Sequence, residues 1–233
     1  MRLNQFLALC GMGSRRKCDE IIAGGQVMIN GKPAETGCRV DPSKDRVTVH
    51  GKPVTPSGKA YFVLFKPANV LTTLADPDDR PTVKHYLKHI PERIFPVGRL
   101  DFDSEGLILL TNDGTLAHRV QHPRYEIEKE YRVVADKKLT DEEALQFSRG
   151  VILEEGKTAP CKVAYLGQNC YQVILHQGWY RQIRRMFERF GVQITALRRV
   201  RIGNLELGSL RPGEVRPLSQ EEVKGLKKIL KFF

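Results

Sequence analysis

Leu107-Ile108-Leu109-Leu110 constrains the fold more than any other stretch of this chain. It is apolar at every position, follows Gly106 and stops on Asp113-Gly114. A short uninterrupted apolar run closed by turn residues reads as a buried strand. Tyr61–Phe65 ("YFVLF") is a second such strand, ending at Lys66-Pro67. "KEYRVVAD" alternates, with Tyr131, Val133 and Ala135 on one face, and "CKVAYL" and "YQVILHQG" read as further strands. Helices are fewer. Thr140 and Glu143 form a capping box for one that stops at Gly150, a second is expected over 179–190 before Gly191, and Ser219 with Glu222 caps a lysine-rich last helix. Strands coming mostly in pairs, with occasional helices, predict an α+β class built on a mixed, mostly antiparallel sheet with flanking helices.

The first 52 residues carry a different pattern, that of a small α/β module. Leu3, Phe6, Leu7 and Cys10 recur at helical spacing before "GMGS" breaks the helix. Ser14 is the expected N-cap of a second helix, with Cys18, Ile21 and Ile22 inward and Gly24-Gly25 as its stop. Asn30-Gly31 signals a tight hairpin turn. Arg15, Arg16 and Lys17 occupy the first turn of the second helix, where cations oppose the helix dipole. That placement makes sense if a phosphate backbone lands there; a solvated basic patch is the plainer reading. Residues 53–60, "PVTPSGKA", read as a linker and 61–233 as the larger domain.

Charge narrows the function classes. Lys and Arg number 38 against 27 Asp and Glu, a net charge of +11, which points to a polyanionic partner. Between Gly178 and Arg211 there are 8 Arg and no Lys against 2 Glu, and arginine without lysine suggests planar recognition of phosphates or bases. On a wheel at about 100° per residue, Ile183, Met186, Phe187 and Phe190 face the core. Arg181 and Arg185 point away as solvent or RNA contacts, and Arg184 sits at the border of the apolar face. The five cysteines form no CxxC pair and the six histidines no HExxH or Cys/His cluster, so neither a metal nor a disulfide framework is expected. No apolar run approaches the length of a membrane span and no signal peptide is visible, so a cytoplasmic protein without membrane contact is expected.

Asp101 and Asp103 stand two residues apart in a loop just before the apolar run, with Arg99 upstream. They read as a turn pair, a general acid/base pair, or one nucleophile beside a bystander. No sugar-binding aromatic groove supports the second reading. There is no GxSxG, phosphate-binding P-loop or dinucleotide GxGxxG.

The motifs together resemble a known family. "GRLDFDSEGLILLTNDG" resembles the signature of the RsuA-type ribosomal RNA pseudouridine synthases. "KPANVLTTLADPDDRPTV", "EKEYRV", "GWYRQIRRMFERFGVQITALRRVRIG" and "LRPGEVRPLS" resemble its other segments, and the first ~50 residues resemble the RNA-binding domain named after the fourth small-subunit ribosomal protein. Asn69 stands where the family commonly has glycine, and asparagine is the next best residue at positive φ. The resemblance implies an isomerase that converts a uridine of ribosomal RNA to pseudouridine without cofactor or metal. Asp101 is then the nucleophile, attacking either the uracil ring or the ribose anomeric carbon. Arg184 is its ion-pair partner, keeping the carboxylate ionised, and Tyr131 lies against the target uracil. Arg99 helps hold the RNA once the uridine is extruded, while Asp103 and Glu105 shape the loop or face solvent. RNA contacts are expected from Arg99, Arg181 and Arg185, and from Arg2, Ser14, Arg15, Arg16, Lys17, Asn30 and Lys32 of the first module. The expected partner is 23S ribosomal RNA of the large subunit or a ribosome precursor, with 16S ribosomal RNA or tRNA as alternatives, acted on by a monomer. A non-catalytic RNA-binding assembly factor is the rival from another class, and it leaves an enclosed acid facing a phosphate-rich ligand unexplained.

Overall fold

A computed structural model describes residues 1–232; Phe233, the last residue of the expected larger domain, lies outside the described residues. The chain divides into two compact units. One is Met1–Lys59 together with Pro91–Arg93; the other is Ala60–Ile90 together with the chain from Ile94 onward.

In the first unit, α1 (Leu3–Leu9) and α2 (Arg15–Ala23) precede a four-stranded sheet of β1 (Val27–Ile29), β2 (Lys32–Pro33), β3 (Val47–Val49) and β4 (Lys52–Pro53), in the order β2-β1-β3-β4. Pro53, the first residue of the expected linker, therefore closes β4. Leu3, Phe6, Leu7, Cys18, Ile22 and Val27 fill the core. The Ser14 hydroxyl accepts the Lys17 N–H at 3.2 Å, capping α2. The β1–β2 turn puts Asn30 and Gly31 at φ 51° and 79°, the primed turn that suits the twist of a hairpin.

The second unit is a nine-stranded sheet with helices on both faces. Its strands are β5 (Tyr61–Lys66), β6 (Phe95–Val97), β7 (Glu105–Thr111), β8 (Lys129–Ala135), β11 (Lys162–Gly167), β12 (Cys170–Leu175), β13 (Ile194–Ile202), β14 (Leu205–Glu206) and β15 (Val215–Pro217). The order is β11-β12-β8-β13-β7-β5-β15, with β6 beside β7 and β14 beside β13. A separate two-residue hairpin joins β9 (Ile152–Leu153) to β10 (Gly156–Lys157). The helices are α3 (Gly114–Gln121), α4 (Asp141–Ser148), α5 (Gln182–Glu188) and α6 (Gln220–Ile229).

Strand β7 shows why Leu107–Leu110 are all apolar. Ile108 and Leu110 enter the core cluster that holds Phe147 of α4 and Ile183, Met186 and Phe187 of α5. Leu107 and Leu109 enter the opposite cluster, with Leu116 and Val120 of α3 and Leu226 of α6. Both faces are covered, and the run between them is apolar at each position.

All pairings along the sheet are antiparallel except one. β13 meets β7 in parallel over Arg198↔Glu105 and Arg199↔Gly106. Gly106 sits at φ 112°, and a Cβ there would fall 2.7 Å from the Arg199 backbone nitrogen. Only glycine lets the two backbones approach this closely.

Two expectations are corrected. Asp113-Gly114 is not only a turn: the Asp113 carboxylate accepts the N–H groups of Thr115 and Leu116 at 3.1 and 3.2 Å and starts α3. The helix expected over 179–190 is shorter, Gln182–Glu188, because Arg181 takes the left-handed conformation, φ 47° and ψ 33°.

Candidate active site

The loop Leu100–Ser104 delivers two acids to the start of β7, and segment 66–72 pins it. The Thr72 hydroxyl donates to Leu100 O at 2.8 Å and accepts the Leu100 N–H at 3.2 Å. Asn69, at φ 61°, donates its N–H to Phe102 O at 2.7 Å, and Ser104 N–H closes a turn on Asp101 O at 3.1 Å. The positive φ expected of Asn69 is thus what lets its N–H meet the loop. Lys66, 0% exposed, donates from Nζ to Pro67 O, Val70 O and Phe102 O at 2.8, 2.7 and 3.4 Å. Burial pushes its pKa down to about 8, against the opposing pull of Asp103, Asp101 and Glu105. Reading residues one by one passed over Lys66, although a lysine closing the run "YFVLFKP" was the signal: the strand buries it, so its ammonium needs partners.

Asp101 is half-buried. Desolvation raises its pKa above the ordinary carboxylate range, and Asp103 adds to the rise; Arg181, Arg184 and Lys66 pull the other way and do not win. Sequence reasoning paired Arg184 with Asp101. The structure pairs it with Asp103, Nη2 to Oδ2 at 3.3 Å, and the same guanidinium donates to Asp103 O, Ser104 Oγ and Ile194 O at 3.4, 3.3 and 3.3 Å. Arg181 adds a forked contact to the same carboxylate at 3.2–3.3 Å. Among the described residues Asp101 has no ion pair within 4 Å. Of the two acids Asp103 is the more exposed, and it collects both arginines. Asp103, expected to shape the loop or face solvent, is the acid that ties it to α5.

Arg184 is 7% exposed, as its border position on the wheel implies. Arg185 is held by Glu155 through two bonds of 2.7 and 2.8 Å. Tyr131 is buried on β8 in the same cluster as Leu100, Val70 and Ile183. Arg99 is exposed. In the first unit Arg2, Arg15, Arg16, Lys17 and Lys32 are exposed, with Lys17 on Glu20 at 2.9 Å. The Asn30 side chain is committed to its own fold, donating to Asp45 and accepting the Arg46 N–H at 2.8 and 2.9 Å.

The five cysteines are free thiols. Among the described residues no cluster of His, Cys, Asp or Glu could hold a metal ion, and no helix is long and apolar enough to cross a membrane. The second unit therefore holds a semi-enclosed carboxylate on a pinned loop, with three cations around it. Such a group combines limited hydration with cations that support its charged form, the conditions a carboxylate nucleophile needs.

Comparison with known proteins identifies the family of both units. Residues 60–189 match the family of RNA pseudouridylate synthases, and residues 1–47 match the S4 domain. The ribosomal large subunit pseudouridine synthase B of Bacillus subtilis is 42% identical over 97% of this chain and 95% of its own length. The dual-specificity RNA pseudouridine synthase RluF of Escherichia coli is 38% identical over 99% of this chain and 79% of its own. A pseudouridylate synthase crystal structure superposes with a TM-score of 0.71 at 30% identity, over 97% of this chain and 99% of that one.

Proposed function

The chain belongs to the RNA pseudouridylate synthase family and is an isomerase, and from that premise we propose that it converts a uridine of 23S ribosomal RNA to pseudouridine with Asp101 as nucleophile. The large-subunit target is supported by the name of the 42% identical relative. The nucleophile rests on one observation: the half-buried Asp101 carboxylate lies on a loop held by Thr72, Asn69 and Lys66 and is surrounded by Lys66, Arg181 and Arg184.

In this reading the first unit docks phosphates through Arg15, Arg16 and Lys17, and the second receives the reacting nucleotide. The uridine leaves its stack, because the glycosidic carbon is unreachable inside a helix. Asp101 attacks, the N-glycosidic bond breaks, and the uracil turns against the Tyr131 ring; C5 then bonds to the ribose anomeric carbon as the bond to Asp101 breaks, C5 gives up its proton to a base and N1 takes one up, so the carboxylate is regenerated. Nothing is oxidised and no group leaves the molecule.

The test is Asp101→Asn on unmodified 23S transcripts. Pseudouridine formation falls at least ~1,000-fold, the order expected when a covalent nucleophile is lost, with RNA affinity unchanged. Turnover at the wild-type rate would overturn the assignment. The dual-specificity relative is the reason to run 16S ribosomal RNA and tRNA alongside.

A further inference from the structure

Two aromatic side chains beside the site are left in water. Tyr180 is 76% exposed and Phe102 43%. Leaving aromatic area exposed forgoes burial, and among the described residues neither ring stacks on another ring or on a cation. Both are nonetheless held on fixed backbone. Phe102 lies between Asp101 and Asp103, its carbonyl accepting from Asn69 and Lys66. Tyr180 lies in the turn before α5, where Trp179 N–H donates to Gln182 Oε1 at 3.0 Å and Arg181 occupies a left-handed conformation. The Arg181–Asp103 ion pair at 3.2 Å joins the two segments, so an exposed ring stands one residue away on each side of it.

We propose that Tyr180, with Phe102 across the ion pair, is a stacking surface for an unpaired RNA base next to the reacting uridine. The proposal rests on the reading that this chain acts on an RNA uridine. Extruding a nucleotide unstacks its neighbours and exposes their π-faces. An aromatic ring held in place takes such a face with little loss of its own freedom, and does so whatever the base. The surrounding charge fits the same occupant. The exposed Arg99 would draw a phosphate backbone to this side of the site, whereas an apolar protein segment would leave it unanswered.

The experiment compares Tyr180→Ala, Tyr180→Leu and Tyr180→Phe in the full chain. The probe is whichever unmodified transcript, 23S, 16S or tRNA, the wild type modifies. Affinity is measured over a salt series, together with single-turnover pseudouridine formation. Tyr180→Ala is expected to weaken binding between about fivefold and a hundredfold, Tyr180→Leu to recover little of this, and Tyr180→Phe to bind within about twofold of wild type. The slope of log affinity against log salt stays at the wild-type value, because no phosphate contact is lost. Wild-type affinity in Tyr180→Ala, equal rescue by leucine and phenylalanine, or a shallower salt slope would each overturn the proposal. A wild type that modifies none of the transcripts would instead overturn the functional reading beneath it, so the two failures are distinguishable.

Discussion

The chain carries two clusters of cations on short helices, and they are built in opposite ways. Arg15, Arg16 and Lys17 open α2 with exposed side chains, and only Lys17 has an acid, Glu20, on the same helix. Arg181, Arg184 and Arg185 stand on and just before α5 with every guanidinium tied: two to Asp103 and one to Glu155. Exposed, loosely held cations supply screened, salt-dependent attraction. Cations bound to acids on other elements fix geometry, and removing one leaves its partners unsatisfied. The same residue type therefore serves affinity in one unit and positioning in the other.

Substitutions at each cluster should separate these roles. Arg184→Ala carries the largest expected effect. It removes a buried group that holds Ser104, Ile194 and the Asp103 backbone, and single-turnover pseudouridine formation should drop about 100-fold, as expected when a site is misplaced by an ångström. RNA affinity should change by less than about threefold. Lysine should not rescue it, because one ammonium cannot reproduce the fork; a rescue would show that charge alone matters there. Replacing Arg15, Arg16 and Lys17 together by alanine should do the reverse. The salt slope of RNA binding should become shallower by about two units, with the single-turnover rate at saturating RNA unchanged. A lowered saturating rate would erase the distinction between the clusters.

Asp103→Asn sharpens the comparison through pH. It removes a like charge that raises the Asp101 pKa and frees two arginines that lower it. The acid limb of the rate profile should therefore move to lower pH; a shift to higher pH would show that Asp103 acts by placing the arginines rather than by its charge. The smallest effect is on stability. Folding raises the Asp101 pKa, so its ionisation opposes folding above the folded pKa, and that opposition vanishes below the unfolded value. Asp101→Asn should raise Tm at pH 7 by on the order of a degree or two, and the gain should fade as the pH drops towards the ordinary carboxylate value of 3.8.

Much of this architecture was legible where local chemistry and tertiary packing agree. The caps at Ser14, Thr140 and Ser219, the left-handed turn at Asn69 and the inward face of α5 follow from single residues and their spacing. Helix α3 was readable too, from Asp113 as a cap with Leu116, Ala117 and Val120 behind it, but a turn signal masked it. The Arg184–Asp103 pairing was not legible. Nothing local tells which of two carboxylates two residues apart turns to solvent; that depends on how segment 66–72 bends the loop. The short α5 has the same origin, since a left-handed Arg181 is favoured by a contact 78 residues away in the chain.

The parallel meeting of β7 and β13 at Gly106 has a consequence for what this loop tolerates. The sheet is two antiparallel halves stitched by a two-residue seam, and the loop bearing Asp101 runs straight into the stitch. The spacing from Asp101 to Gly106 is thus a ruler. One residue more or fewer would slide β7 against both neighbours, exchange its two buried faces and place a Cβ where the seam admits none. A side-chain change within 102–105 removes single contacts, such as those of Asp103 and Ser104 with Arg184, whereas a change in the length of the interval displaces the whole strand.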